Sequence, residues 1–134
     1  MEKVWVSPET LAGTLLKIYV KASDPDGDMR WLVVSGGRGK DGTMASVPIR
    51  LGKKFGKEVN GYVYWDTAKA LKKSGTGHFS VLIEDWKGNE SEEITLPAKV
   101  VAKDAKVQKA PADFQNLAIG PIMVDMQQFG YGGQ

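Results

Sequence analysis

Apolar and polar residues alternate along most of this chain in short runs separated by glycine, proline and aspartate, the pattern of half-buried strands. In Leu16-Lys17-Ile18-Tyr19-Val20-Lys21-Ala22 the apolar residues share one face, and the lysines and Tyr19 share the other. That run stops at Asp24-Pro25-Asp26-Gly27-Asp28, where proline presets the turn and the aspartates can accept nearby amides. Met29 to Ser35 sets Trp31 and Val33 against Arg30, Leu32 and Val34, so both faces are expected to be partly covered. Beyond the glycine-rich stretch Gly36 to Gly42, a weaker strand from Met44 to Leu51 contains Pro48, which lacks a ladder donor and marks an edge. Val59 to Asp66 carries Tyr62, Tyr64 and Trp65. One helical turn is expected over Thr67 to Lys73, with Asp66 as its cap. The cleanest strand follows, with Phe79, Val81 and Ile83 on one face and His78, Ser80, Leu82 and Glu84 on the other, closing at Asp85-Trp86-Lys87-Gly88-Asn89. Glu93 to Val101 then puts Ile94, Leu96, Ala98 and Val100 on a single face.

With Val4 to Val6 as a first strand, about seven strands result, which predicts an all-β fold of two stacked antiparallel sheets. Residues 1–101 are expected to form the sandwich, and 102–113, rich in alanine, lysine, aspartate and glutamine, to form a linker. Residues 114–134 turn apolar again through Phe114, Leu117, Ile119, Ile122, Val124, Phe129 and Tyr131, which are expected to serve packing or assembly. Such a segment has three destinations: its own domain, disorder, or the exposed strand edge of a neighbouring subunit.

A chain of 134 residues is the size of one domain and can bury roughly two-thirds of its unfolded surface. Its 18 basic and 16 acidic residues leave a net charge of +2 with no long block of either sign, so a nucleic-acid partner is not implied. The absence of cysteine excludes disulfides, thiolate nucleophiles and thiolate zinc sites. No stretch approaches the ~20 apolar residues that span a bilayer, and Met1 to Trp5 lacks the apolar run of a leader, so no membrane span is expected.

The segment from Gly77 to Ser91, with its aromatic residue, alternating apolars, aspartate and Gly88-Asn89, resembles the last hairpin of bacterial immunoglobulin-like domains. Ala22-Ser23-Asp24-Pro25-Asp26-Gly27-Asp28 before a tryptophan-bearing strand adds to the likeness, which covers about residues 3–101 and extends to fibronectin-III-like and cadherin-like modules. The resemblance implies an immunoglobulin-like sandwich, an extracellular or cell-surface location, and a role in adhesion, spacing or ligand display. One departure is Phe79, which has no hydroxyl for the tyrosine-corner bond of related domains.

Candidate chemistry is sparse. Asp24, Asp26 and Asp28 have the alternate spacing by which short loops gather oxygen ligands around calcium, while the twelfth position, where an EF-hand places glutamate, is Ser35. A plain turn is the competing reading, and Asp85 or Glu90 could complete a calcium site only from the same pole. His78 is the single histidine and no nucleophile elbow accompanies it; neighbouring carboxylates such as Glu84 and Asp85 point to opposite faces. The Gly36 to Lys40 loop lacks the Gly-Lys-Ser/Thr ending of a phosphate-binding loop. Tyr19, on the polar face of its strand, and Trp86, in a turn, are the aromatics expected to be exposed and able to stack on a sugar. The expected function is a non-catalytic structural or adhesive module acting through protein contacts or self-association, with no cofactor unless calcium binds; the alternative is a carbohydrate-binding or calcium-dependent recognition module.

Overall fold

Alternation along the sequence becomes alternation of burial. In β3 (Leu15–Ser23), Leu16, Ile18, Val20 and Ala22 are buried while Lys17, Tyr19 and Lys21 face outward, and β7 (Glu58–Asp66) repeats the pattern with Val59, Gly61, Val63 and Trp65 inside. The computed structural model describes residues 3–11, 13–38, 46–67, 75–101 and 103–124. The other elements are β1 (Lys3–Val6), β2 (Glu9–Leu11), β4 (Met29–Arg38), β5 (Ser46–Val47), β6 (Ile49–Arg50), β8 (Gly75–Asp85), β9 (Ile94–Val101), β10 (Ala118–Pro121) and β11 (Met123–Val124), with a 3-10 turn at Lys53–Phe55.

These strands form an all-β sandwich. One sheet has the order β1-β3-β7-β10 and the other β2-β9-β8-β4-β6, while β11 pairs with β5. Leu32 and Val34 of β4, Phe79, Val81 and Ile83 of β8, and Ala98 and Val100 of β9 meet the inner face of the first sheet. Trp65 and Phe79, both fully buried, join the layers edge to face with ring centroids 5.8 Å apart. Edge-to-face contact suits the quadrupoles of the two rings. Among the described residues no helix is long and apolar enough to cross a membrane.

Several strands follow the sequence expectation closely, and some features were hidden from it. Pro48 splits its edge strand into β5 and β6, as the missing donor requires. Glu9–Leu11, too short to show periodicity, crosses to the second sheet and runs parallel to β9, with Thr10 opposite Val100. The helical turn expected over Thr67 to Lys73 lies outside the described residues from position 68 onward.

The C-terminal segment returns across the sandwich. Residues 103–117 carry no strand, and β10 then lies parallel to β7, with Ala118 opposite Tyr62 and Pro121 opposite Tyr64. The Tyr62 amide donates to the Leu117 carbonyl at 2.8 Å, and the Ile122 amide to the Tyr64 carbonyl at 2.7 Å. Ile122 is only 5 % exposed and belongs to the core; Ile119 packs against it. Gly61 makes the approach feasible, because a Cβ there would strike the Leu117 carbonyl oxygen.

Gly61→Ala is therefore expected to lower stability by about 1–3 kcal/mol through forced displacement of backbone and to raise protease sensitivity within residues 103–117. Gly52→Ala is the control, since no atom lies within 4 Å of a Cβ at that position. Thermal melts and limited proteolysis read the difference, and equal behaviour of the two variants would contradict the close approach.

Candidate functional site

The outer face of the first sheet carries a transverse row of aromatics. Strand register places Trp5 opposite Tyr19 and Tyr19 opposite Tyr62, so three adjacent strands contribute one ring each. Centroid separations are 6.0 Å for Trp5 and Tyr19 and 5.3 Å for Tyr19 and Tyr62, both tilted pairs. Alternation turns these residues outward, because their neighbours one position away along each strand face the core, and register lines them up.

Residues 103–117 form a strap over that face. Its backbone is held by polar side chains of the sandwich: the Lys106 amide donates to Glu9 Oε1 of β2 at 3.1 Å and the Gln108 amide to Ser7 Oγ, between β1 and β2, at 3.0 Å. Asn60 substitutes for a missing strand, donating through Nδ2 to the Asp113 carbonyl at 3.0 Å and accepting the Gln115 amide on Oδ1 at 2.8 Å. Lys3 and Asp113 form an ion pair at 2.7 Å, and this bond, ahead of all other influences, holds the Asp113 carboxyl below its usual range. Phe114 stands edge-on to Tyr19 at 5.9 Å, and the Tyr19 hydroxyl donates to Asn116 Oδ1 at 3.3 Å. Burial first, and the neighbouring Tyr62 second, raise the Tyr19 hydroxyl above its ordinary pKa, so it remains a donor throughout the physiological range.

Between strap and sheet lies a half-open cleft of about 700 Å³. Trp5, Tyr19 and Phe114 provide its rings, Leu15, Val107 and Pro111 further apolar surface, and Lys17, Gln108, Lys109 and Asn116 its polar groups. That volume, with an apolar lining and few convergent polar groups, is the usual composition of a small-ligand site.

The residues picked out by sequence fall into separate places. Tyr19 is half-buried in the lining of the cleft, whereas Trp86, 55 % exposed, belongs to the turn after β8 in the other sheet. There the Arg30 guanidinium lies 4.1 Å from the Trp86 ring centre and 4.9 Å from that of Trp31. Of the apolar tail residues, Phe114 lines the cleft, Leu117 is 41 % exposed, Ile119 and Ile122 contact the core, and Val124 belongs to β11. Phe129 and Tyr131 lie outside the described residues. Sequence reasoning did not single out Trp5, Phe114 as a ligand contact, or Asn60; the first two needed the register and the strap to become neighbours.

Asp24, Asp26 and Asp28 do converge, with ligand oxygens within 4.8 Å of one another, and Asp85 and Glu90 line the same depression as Asp24. Their local geometry is that of a turn: the Asp26 amide donates to Asp24 Oδ1 at 3.0 Å, the Gly27 amide to the Asp24 carbonyl at 3.0 Å, and Gly27 has φ +71°. The hydrogen bond between the Asp24 and Asp28 carboxyls is the largest influence on both, lowering Asp24 and raising Asp28; burial and the charges of Asp24 and Asp85 add to the rise at Asp28.

Comparison with known protein families, curated proteins and solved structures finds no match to this chain.

The raised Asp28 carboxyl has a stability consequence of definite sign. In the folded state it keeps its proton to higher pH than in the unfolded state, so stability is lost as pH rises through the folded pKa. In chelator-containing buffer Asp28→Asn is expected to melt above the parent at pH 7, with the gain vanishing below the ordinary carboxyl range near ~4. Melting curves across that interval measure it, and a gain independent of pH would contradict the shared proton.

Proposed function

We propose that this chain is a non-catalytic, immunoglobulin-like recognition module of an extracellular or cell-surface assembly, binding its ligand in the cleft beneath the C-terminal strap. The observation that carries this reading is the aromatic lining of a cavity of about 700 Å³ by Trp5, Tyr19 and Phe114, the last in edge contact with Tyr19. Rings aligned by a rigid sheet lose little freedom on binding, and their faces suit flat or ring-shaped ligands.

The immunoglobulin-like assignment draws support from strand order. Such domains place strands A, B, E and D in one sheet and C, F and G in the other. Here β1, β3 and β7 take the first three places, with β4, β8 and β9 opposite. On this reading β10 fills the fourth place, beside the strand where D would lie, and runs parallel to it. The C-terminal segment then supplies a missing strand of its own domain and the roof of its ligand site. Adhesion follows if the module is carried on a surface.

Binding of the full chain to arrays of glycans and of peptides tests the reading. Trp5→Ala and Tyr19→Ala are expected to weaken whatever binds by about tenfold or more each, as loss of a stacking ring does, while Trp86→Ala leaves it unchanged. Binding that survives both cleft variants and disappears with Trp86→Ala would move the site to the other sheet.

A further inference from the structure

We infer that the ligand of this cleft is a carboxylated saccharide, a deduction that rests on the cleft being the ligand site and that follows from its hydrogen-bonding inventory. Two of the lining hydroxyls, those of Ser7 and Thr14, are turned to the chain itself. Ser7 donates to the Glu9 carbonyl at 2.8 Å while accepting the Gln108 amide, and Thr14 donates to the Leu11 carbonyl at 2.6 Å. Asn116 Oδ1 accepts the Tyr19 hydroxyl, which leaves the amide nitrogen of Asn116 with its two N–H donors.

The charged groups of the lining are donors only. Lys17 and Lys109 line the cleft and enter no ion pair among the described residues; the Lys17 Nζ sits 4.6 Å from the Tyr62 ring centre. No aspartate or glutamate is among the described lining residues, and Asp113, which neighbours two of them in sequence, is held by Lys3 at 2.7 Å. The site therefore offers two cations, amide donors and ring faces, with no anionic acceptor among the described lining residues. A ligand that fits must bring an anionic acceptor, together with an apolar face that can lie on the ring of Trp5 or of Tyr19.

A sugar acid meets both demands. The C–H face of a pyranose stacks on an aromatic ring, and its carboxylate accepts the charge-assisted bonds that lysines make best. Neutral sugars fit less well, because they bring no charge to pair with the ammonium groups of Lys17 and Lys109. An acidic peptide is disfavoured for another reason: extended peptides are recognised by backbone pairing along an open sheet edge, whereas the floor here is a sheet face presenting rings.

The test titrates the full chain, with ¹⁵N-labelled indoles, against three sets of probes. The carboxylated set is a galacturonate hexamer, a hyaluronan hexamer and sialyllactose; the neutral set is maltohexaose and cellohexaose; the peptide is hexaglutamate. The result expected is binding of at least one carboxylated probe that shifts the Trp5 indole signal and leaves that of Trp86 in place. Lys17→Gln and Lys109→Gln should each weaken it about tenfold, and added salt should weaken it further. Neutral probes should bind at least tenfold more weakly. Equal or tighter binding of a neutral sugar or of hexaglutamate at Trp5 overturns the saccharide-acid assignment but leaves the cleft as a binding site. Silence of Trp5 toward every probe overturns both. Binding of an acidic probe that the two lysine variants leave unchanged also overturns the assignment, with matching melting temperatures of those variants showing that the fold is intact.

Discussion

The edge of β7 is the constraint on which the rest of this molecule depends. A strand left there unpaired would present its amides and carbonyls as a template for another chain, and the C-terminal segment takes that place through the Tyr62 amide and the Tyr64 carbonyl. Once β10 is docked, the chain between β9 and β10 has to cross the outer face of the first sheet. That crossing is the strap, and it covers the aromatic row. Gly61 pinpoints the dependence: the inward alternation of β7 would assign its position to a core side chain, yet the Leu117 carbonyl comes so close that only glycine fits.

The strap's hold is distributed over weak contacts. An exposed ion pair such as Lys3 with Asp113 contributes little by itself, and each amide bond to Glu9, Ser7 or Asn60 adds a modest amount. Burial of Ile122 and the edge pairing supply the cooperative part, because they couple the strap to the core. Between those two anchoring regions the strap stands away from the sheet and the cleft remains. This arrangement separates a rigid floor, built on three strands, from a roof with no strand structure of its own, and roofs of that kind are where local opening has low cost.

Much of the sandwich was legible in the sequence because two-residue periodicity maps directly onto burial: Leu16, Ile18, Val20 and Ala22, or Phe79, Val81 and Ile83, were assigned to the interior by spacing alone. Pro48 announced an edge and Asp24 to Asp28 a turn for equally local reasons. Two kinds of information were not local. Glu9–Leu11 is too short for a period to appear, and its parallel partner β9 lies far along the chain. The cleft required knowing that Trp5, Tyr19 and Tyr62 share one row and that Phe114 returns to meet them, which is a matter of register and of a chain path through an irregular segment. Composition showed that the tail was apolar and therefore needed cover; pairing with β7 and β5 showed where it found some.

Amide hydrogen exchange at Tyr62 and Ile122 in the full chain, followed as the protein is diluted, measures the central claim most directly. Pairing within one molecule predicts that both amides are strongly protected and that their protection does not change with concentration. Protection that is lost on dilution would mean that the strand comes from a neighbouring copy, and amides that exchange as fast as an open loop would mean that the edge is not covered at all.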